Sequence, residues 1–441
     1  MVTSSVRMTS YIPAIVGAIL LVLQIFVPAP PIMFALVIIA GVLGISYVWA
    51  RQAARYVTVQ RRRRYGWAQV GDIIEERFTM RNDSWLPVLW AEVRDFSDLP
   101  GYAASRAVGL ASRSSTRWTT EGICERRGIY TLGPLEIVMG DLFGLFEVKL
   151  SHNYKESFVV YPPIAALPTL LQPRGMVRGA ARTNIRSLDV TTNASSVRQY
   201  VPGDALNRIH WRTTARRSSP TQEEIFVKEY DLEPSGDLWL ILDLDSHVHA
   251  GEGTESTEEY GVILAASLAN QMLRTNHAVG LVAYAQEPTV VRPHRGHEQL
   301  WELLRVLAGV HAVGDTPLGQ VLRQVDPLIG HGMSATLITP AASPEWIKGL
   351  TALLRRGIYS TALLLDATTF GGDGDMHALL GALADMGVPG HIVGKGFRFE
   401  LITQRRQQRP LYRVLGTGRV VVAAPGDQAH AKWVPVGEDK R

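Results

Sequence analysis

Seven residues, Asp243-Leu-Asp-Ser-His-Val-His249, place two carboxylates, a hydroxyl and two imidazoles in the space of one loop. They follow directly on Leu238 to Leu242, the most apolar run of its region, which reads as a buried strand. A strand that ends in His-x-His can bring two imidazoles to one divalent ion. A metal-dependent hydrolase built on Asp243, Asp245, His247 and His249 is therefore one reading. The length of the chain opposes the barrel that such a site favours. Eight strand-helix units need about 250 residues, whereas about 200 follow Asp237 and supply five or six strands.

The elements around this loop alternate. His277 to Tyr284, Ala335 to Thr339, Ile358 to Leu365 and Gly390 to Val393 read as further strands. Thr257 to Arg274, His297 to Val310, Thr316 to Val325, Pro344 to Arg355 and Met376 to Met386 read as helices. That alternation predicts a parallel sheet covered on both faces, a doubly wound α/β domain over residues 235–400, in which ligands collect at the carboxyl ends of the strands. Domains of the von Willebrand factor A type place Asp-x-Ser-x-Ser after their first strand and add a Thr and an Asp from later loops, so that hard oxygens surround Mg²⁺. The loop here resembles that template in part. Asp243 matches the first position, Asp245 and His247 stand where the two Ser would be, Thr316 suits the later Thr, and Pro340 stands where the later Asp is expected. Two of five positions are retained, so this reads as a degenerate metal site; the expectation is no cofactor, Mg²⁺ being the ion the template would take.

Upstream, Val197 to Arg216 reads VRQYVPGDALNRIHWRTTAR. Pro202 and Gly203 suit the middle of a type II turn, because Pro presets φ near −65° and Gly accepts a positive φ. Asp204 would then pair with Arg198, Arg208 or Arg216, beside Tyr200, and Trp211 would bury a large apolar face. No nucleophile with its base is apparent, and the segment reads as an ordered structural or docking element inside a linker of residues 166–234. Residues 69 to 162 instead alternate apolar and polar positions over short runs such as Glu75 to Arg81, Trp85 to Val93, Thr116 to Thr120 and Phe158 to Tyr161. They predict an all-β, Ig-like sandwich over about residues 65–165.

Between Arg7 and Arg51 there is no Asp, Glu, Lys or Arg, and Pro28, Pro30 and Pro31 divide the stretch. It predicts two transmembrane helices, Tyr11 to Val27 and Ile32 to Ala50, joined by a tight turn. Arg7 precedes the pair, and Arg51, Arg55 and the run Arg61, Arg62, Arg63, Arg64 follow it. Basic flanks on both sides predict a hairpin over residues 1–64 with the remainder in the cytoplasm. The run Arg61 to Arg64 is then expected along the lipid headgroups. A secretory signal peptide is the alternative for the first span. The single Cys124 rules out an internal disulfide and suits a reducing compartment.

Charge limits the choice of partners. The chain holds 45 Lys and Arg against 41 Asp and Glu, but seven of the basic residues precede the first acidic one, Asp72. Without those seven the balance is 38 against 41, so the excess belongs to the membrane flank and no nucleic acid is expected as a partner. The exception is residues 174 to 217, with nine Arg, no Lys, and only Asp189 and Asp204. An Arg-rich nucleic-acid surface there is the alternative, and a solvated linker is the plainer reading. Residues 401–441 read as a C-terminal extension.

The segment Val197 to Arg216, followed by EEIFVKEY and then LWLILDLD, resembles the domain of unknown function 58 family. That family shows an Arg-x-Tyr-x-Pro-Gly-Asp run, an Ile-Asp-Trp step, a nearby Ala-Arg and a von Willebrand A-like strand. Arg127 to Phe146 is similar to its Arg-Gly-x-Tyr, Leu-Gly-Pro and Asp-Pro-Phe-Gly-Leu-Phe signature, and the paired amino-terminal spans agree. The resemblance covers most of residues 8 to 400, with Leu142 in place of the family's Pro and His210 in place of its Asp. It implies association with an AAA+ ATPase of the MoxR type, in some members with transglutaminase-like membrane proteins. The expected role is a non-catalytic, membrane-tethered protein-binding adaptor of the bacterial inner membrane, in assembly or maturation of protein complexes, with its oligomeric state open.

Overall fold

The computed structural model describes residues 2–168, 171, 194–200, 209–217, 225–230, 237–330 and 333–402, with short strands at 411–414, 420–423 and 434–435. The chain forms two compact units, the first made chiefly of residues before Ile164 and the second chiefly of residues 164–402.

The first unit begins with a strand, β1 (Val2–Met8), followed by helices α1 (Ile12–Phe26) and α2 (Pro30–Tyr56). Pro13 and the pair Pro30–Pro31 sit in the first turns of these helices, where no intrahelical N–H is missed. A tight turn joins them, with Gln24 Oε1 accepting from the Ala29 amide. The two helices pack against each other at Gly17, where a Cβ would lie 3.4 Å from Ile39, an ordinary van der Waals distance. By length and composition α2 is able to cross a membrane; α1, at 15 residues, is apolar but shorter than such a span requires. No residue of α1 is buried, and the apolar side chains of Ile12, Ile19, Ile25, Phe34 and Ile38 stand exposed. The last turns of α2 differ. Ser46, Trp49, Ala50 and Ala53 are buried at i, i+3, i+4 and i+7, the stripe of a helix that packs on a protein core.

That core is a β-sandwich. Its strands are β2 (Val57–Arg63), β3 (Trp67–Gln69), β4 (Ile73–Asn82), β5 (Val88–Asp95), β6 (Arg106–Leu110), β7 (Ser114–Ile123), β8 (Gly128–Leu132), β9 (Leu135–Gly140), β10 (Phe146–His152) and β11 (Glu156–Tyr161). One sheet runs β1-β10-β9-β5-β6; facing strands run β2-β4-β7 and β3-β11-β8. Alternate residues of β4, Ile74, Glu76, Phe78 and Met80, point inward, and Phe78 stacks on its cross-strand partner Trp118 at 5.3 Å.

Two boundaries differ from the sequence expectation. Both β1 and β2 lie within the stretch read as membrane hairpin and basic flank, yet both are sandwich strands: Val2 to Met8 pair with His152 to Phe146, and Val57 to Arg63 pair with Asn82 to Glu76. Three of the four arginines therefore do not line lipid headgroups. Arg61 is buried against Glu76 (2.6 Å) and Asp95 (3.1 Å), Arg63 is buried against Glu156 (2.6 Å), and Arg64 lies 3.4 Å from Glu75. Arg62, pointing to the opposite face, is exposed. Tyr102 donates its hydroxyl to Glu76 and completes the buried cluster.

The second unit starts with β12 (Ala165–Ala166). It continues with β13 (Ala194–Gln199), α3 (Trp211–Arg217) and β14 (Phe226–Tyr230), the strands β13 and β14 pairing antiparallel within the expected linker. Then follow β15 (Leu238–Leu242), the two-residue strands β16 (Gly251–Glu252) and β17 (Glu255–Ser256), α4 (Thr257–Arg274), β18 (Val279–Tyr284), β19 (Pro288–His294), α5 (His297–Gly309), α6 (Leu318–Val325), β20 (Ser334–Thr339), α7 (Ile347–Arg355), β21 (Tyr359–Leu365), α8 (Met376–Asp385) and β22 (Gly390–Val393). The sheet order is β19-β18-β15-β20-β21-β22, parallel except for the edge strand β19. Trp239 and Ile241 join a core with α6, α7 and α8. On α4, Gly261 lets that helix rest on Leu242, Ile338 and Leu365. Every residue of β15 is buried, as a central strand covered on both faces requires. The expected doubly wound arrangement is present; the antiparallel β19 was not anticipated.

Candidate functional site

In chain order β15 leads through α4 to β18 on one side, while β20 adds on the other. The strand order thus reverses between β15 and β20, and the crevice of an open α/β sheet lies at the carboxyl ends of that pair. Asp243 and Thr339 occupy those two ends. Asp243 continues the ladder by donating its amide to the Ile338 carbonyl at 3.0 Å. Its carboxylate is 2 % exposed, with Oδ2 accepting from the Thr339 hydroxyl at 2.6 Å and Oδ1 from the Asp245 amide at 3.2 Å. Burial is the dominant influence on this group and pushes its pKa from 3.8 to about 6, the two hydrogen bonds offsetting only part of the cost.

Asp245 turns the other way. Its Oδ1 accepts from the His247 amide at 3.1 Å and lies 2.8 Å from the His247 Nδ1. The His247 ring is exposed, and the bond to Asp245 raises its pKa, with Asp315 adding to the effect. A second loop is fastened beneath: Asp245 bridges to Gly314, whose carbonyl accepts from Ser246 at 2.8 Å. Only glycine fits there, because a Cβ at 314 would meet the carbonyl oxygens of Tyr284 at 2.7 Å and Ala285 at 2.9 Å. This pins the Gly-Asp-Thr-Pro loop, with the half-buried Thr316 two residues on, beside the first strand.

His249 points back into the protein. Its Nε2 donates to the Asp243 carbonyl at 2.9 Å, and its Nδ1 accepts from the Thr257 hydroxyl at 2.9 Å. Burial lowers the pKa of the ring, which favours the neutral tautomer that these two bonds require. The two imidazoles of the His-x-His segment therefore do not converge, which removes the arrangement a hydrolytic metal site needs. Among the described residues no group of three His, Cys, Asp or Glu is placed to hold a metal ion. The von Willebrand oxygen set fares no better: a nitrogen base stands at the third position, Pro340 offers no side-chain ligand, and both Asp243 oxygens are engaged by protein donors. The residues present do not fit Mg²⁺.

Thr339 and Thr257, which hold Asp243 and His249, are the two residues that sequence reasoning missed. Thr339 ends an apolar strand and reads as an ordinary β-branched strand residue. The upstream motif is less complete. Pro202, Gly203, Asp204 and Arg208 lie outside the described residues, as does the side chain of Arg198. Tyr200 is placed by its amide, which donates to the Ile225 carbonyl at 2.8 Å. Trp211, expected to be buried, is 69 % exposed at the start of α3, and Arg216 is exposed on the same short helix. His210 stands where the family's Asp would be, and its Nδ1 accepts from the Thr213 amide at 3.1 Å, a cap that a carboxylate also makes. Most of the Arg-rich stretch read as a nucleic-acid surface lies outside the described residues.

Comparison with known proteins agrees with the resemblance seen in the motifs. The chain is 24 % identical over 297 residues to uncharacterized protein YeaD of Bacillus subtilis (strain 168), covering 65 % of this chain and 69 % of that protein. It is 26 % identical over 167 residues to uncharacterized protein Rv1480 of Mycobacterium tuberculosis, covering 36 % of this chain and 50 % of that one. Among solved structures, a von Willebrand factor type A protein from Catenulispora acidiphila is 14 % identical over 38 % of this chain and 40 % of its own, with a TM-score of 0.26. The CARDB domain of the PF1109 protein from Pyrococcus furiosus is 12 % identical over 24 % of this chain and 91 % of its own, with a TM-score of 0.18. Residues 196–329, which run from β13 through the Asp243 loop to the end of α6 and just beyond, match the family described as protein of unknown function DUF58.

Proposed function

We propose that this chain is a membrane-tethered protein-binding adaptor whose α/β unit offers the Asp243 end of its sheet to a partner, an AAA+ ATPase of the MoxR type, during assembly or maturation of protein complexes. One observation carries the reading. At the place where an open α/β sheet does its chemistry, the polar side chains bond to one another: Asp243 to Thr339, Asp245 to His247, and His249 to Thr257. Bonds of this kind keep a loop in shape for recognition, and in this reading the role is non-catalytic and works without Mg²⁺.

The membrane half of the proposal rests on the pairing of β1 with β10. Strand β1 precedes the two apolar helices and β10 follows them, yet they share one sheet. In this reading the intervening chain leaves one side of the bilayer and returns to it, α1 and α2 crossing the inner membrane as a hairpin. Removal of α1 as a signal peptide would also remove an edge strand of the sandwich, which disfavours that alternative. Arg7, Arg51 and Arg55 flank the pair and favour the cytoplasmic side for both units.

The test is co-purification from detergent-solubilised membranes, with and without nucleotide, alongside a Mg²⁺ titration of the purified chain. A nucleotide-dependent ATPase in the eluate and an unchanged melting temperature in Mg²⁺ are expected. Repeated recovery of no ATPase, or a stoichiometric metal that Asp243→Ala abolishes, would overturn the reading.

A further inference from the structure

The lengths of α1 and of α2 ahead of its buried stripe fall short of the bilayer they would cross, and the sandwich carries what makes up the difference. The 15 residues of α1 rise about 22 Å at 1.5 Å each. The part of α2 before its buried stripe, from Pro30 to Ile45, rises about 24 Å. A hydrocarbon core of about 30 Å exceeds both by several ångströms. A spanning hairpin of this length draws its base down to the level of the lipid interface.

The base of the hairpin is ringed by exposed apolar side chains on two loops of the sandwich. The loop between β4 and β5 is braced on α2 at both ends, by the Asp83 amide donating to the Tyr56 carbonyl at 3.1 Å and by Trp49 Nε1 donating to the Pro87 carbonyl at 2.8 Å. Between those braces Trp85 is 59 % exposed. The loop between β9 and β10 is folded tightly over Asp141, which accepts from the Phe143 and Phe146 amides, and leaves Leu142 71 % exposed with Phe143 beside it. This loop lies where α1 departs: the Thr9 amide donates to the Leu145 carbonyl at 2.8 Å. Trp90 is also exposed and lies against Gly140, the residue that opens the same loop. Neither loop needs these side chains for the core. Arg51 and Arg55, exposed on the last turns of α2, add cations at the same level.

We propose that this end of the sandwich is a lipid-binding face: Trp85, Trp90, Leu142 and Phe143 enter the interface of a phospholipid bilayer, with Arg51 and Arg55 on the headgroup phosphates, so that the β unit is seated on the membrane. Tryptophan at the water–hydrocarbon boundary is favoured because one edge of the ring is polar and the rest is not. The occupant is lipid because the surface is continuous with the helices that cross the bilayer. The inference rests on the hairpin reading.

The test uses nitroxide labels on the full chain in nanodiscs of phosphatidylethanolamine and phosphatidylglycerol, read as the ratio of oxygen to nickel-complex accessibility. Native Cys124 does not compete, being fully buried with its thiol pushed up to about 11 by burial. Labels go at W85C, L142C and F143C, with I38C in the exposed middle of α2 and I73C at the far end of β4 as references. The three loop positions are expected to read several-fold above I73C and below I38C. If they match I73C while I38C reads as lipid, the seat is wrong and the anchor stands. If I38C reads as water, the hairpin reading falls and the seat falls with it.

Discussion

Asp243 shows what the site has become. A carboxylate held at the end of a buried strand, with its pKa lifted from 3.8 to about 6 by desolvation, is an unfavourable charge at neutral pH. Because the folded value lies above the unfolded one, its contribution to stability is fully present below about pH 4 and is lost as the pH rises through about 6. A rise of that size corresponds to about 3 kcal/mol. In Asp243→Asn the amide keeps the Asp245 and Thr339 contacts without the charge. The variant is expected to gain on the native chain by up to about 3 kcal/mol between about pH 4 and pH 7, read by urea unfolding in detergent across that range. A constant difference between the two proteins across pH would show that Asp243 does not titrate as its burial requires. The carboxylates of this loop were legible in the sequence because their spacing after an apolar run is local. Their partners were not, because Thr339 and Thr257 reach the loop only through the crossovers of the sheet, and because nothing local tells whether an imidazole faces a ligand or a carbonyl.

At the scale of elements, the strand β2 marks where a charge run misleads. Four consecutive arginines read as a headgroup-binding patch, yet the alternation of a strand sends Arg61 and Arg63 inward, where Glu76, Asp95 and Glu156 neutralise them. Those carboxylates come from β4, β5 and β11, and no local pattern links them to the run. Buried pairs of this kind are costly to break from one side. Arg61→Met strands Glu76 and Asp95, and is expected to cost about 3 to 5 kcal/mol, read as a fall in the unfolding midpoint of the sandwich; the double change Arg61→Met with Glu76→Leu is expected to recover a large part of it. If the single variant unfolds like the native chain, the cluster contributes no stability. The strands β15, β20, β21 and β22 and the helix α4 were legible nearly to the residue, because continuous apolar runs and 3.6-residue periodicity are carried by the residues themselves. Strand β1 was not: Val2, Val6 and Met8 share one face, but Ser4 interrupts it and the run leads straight into the apolar helices, so the strand is set by its pairing with β10.

For the whole molecule, the order of parts follows from the sequence: a greasy pair of helices, a sandwich, and a doubly wound α/β unit. What the order hid is that β1, ahead of the two helices, pairs with β10, beyond them, so that strands on both sides of the helical pair share one sheet. Under the proposed function, the Asp243 end of the α/β unit is the place where a partner is gripped. The most direct test is to place a photo-crosslinking benzoylphenylalanine in living cells at Ser246, which is exposed between Asp245 and His247. A crosslink to an AAA+ ATPase that depends on nucleotide is expected; no protein adduct at Ser246, with the chain present and folded in the membrane, would contradict the adaptor role.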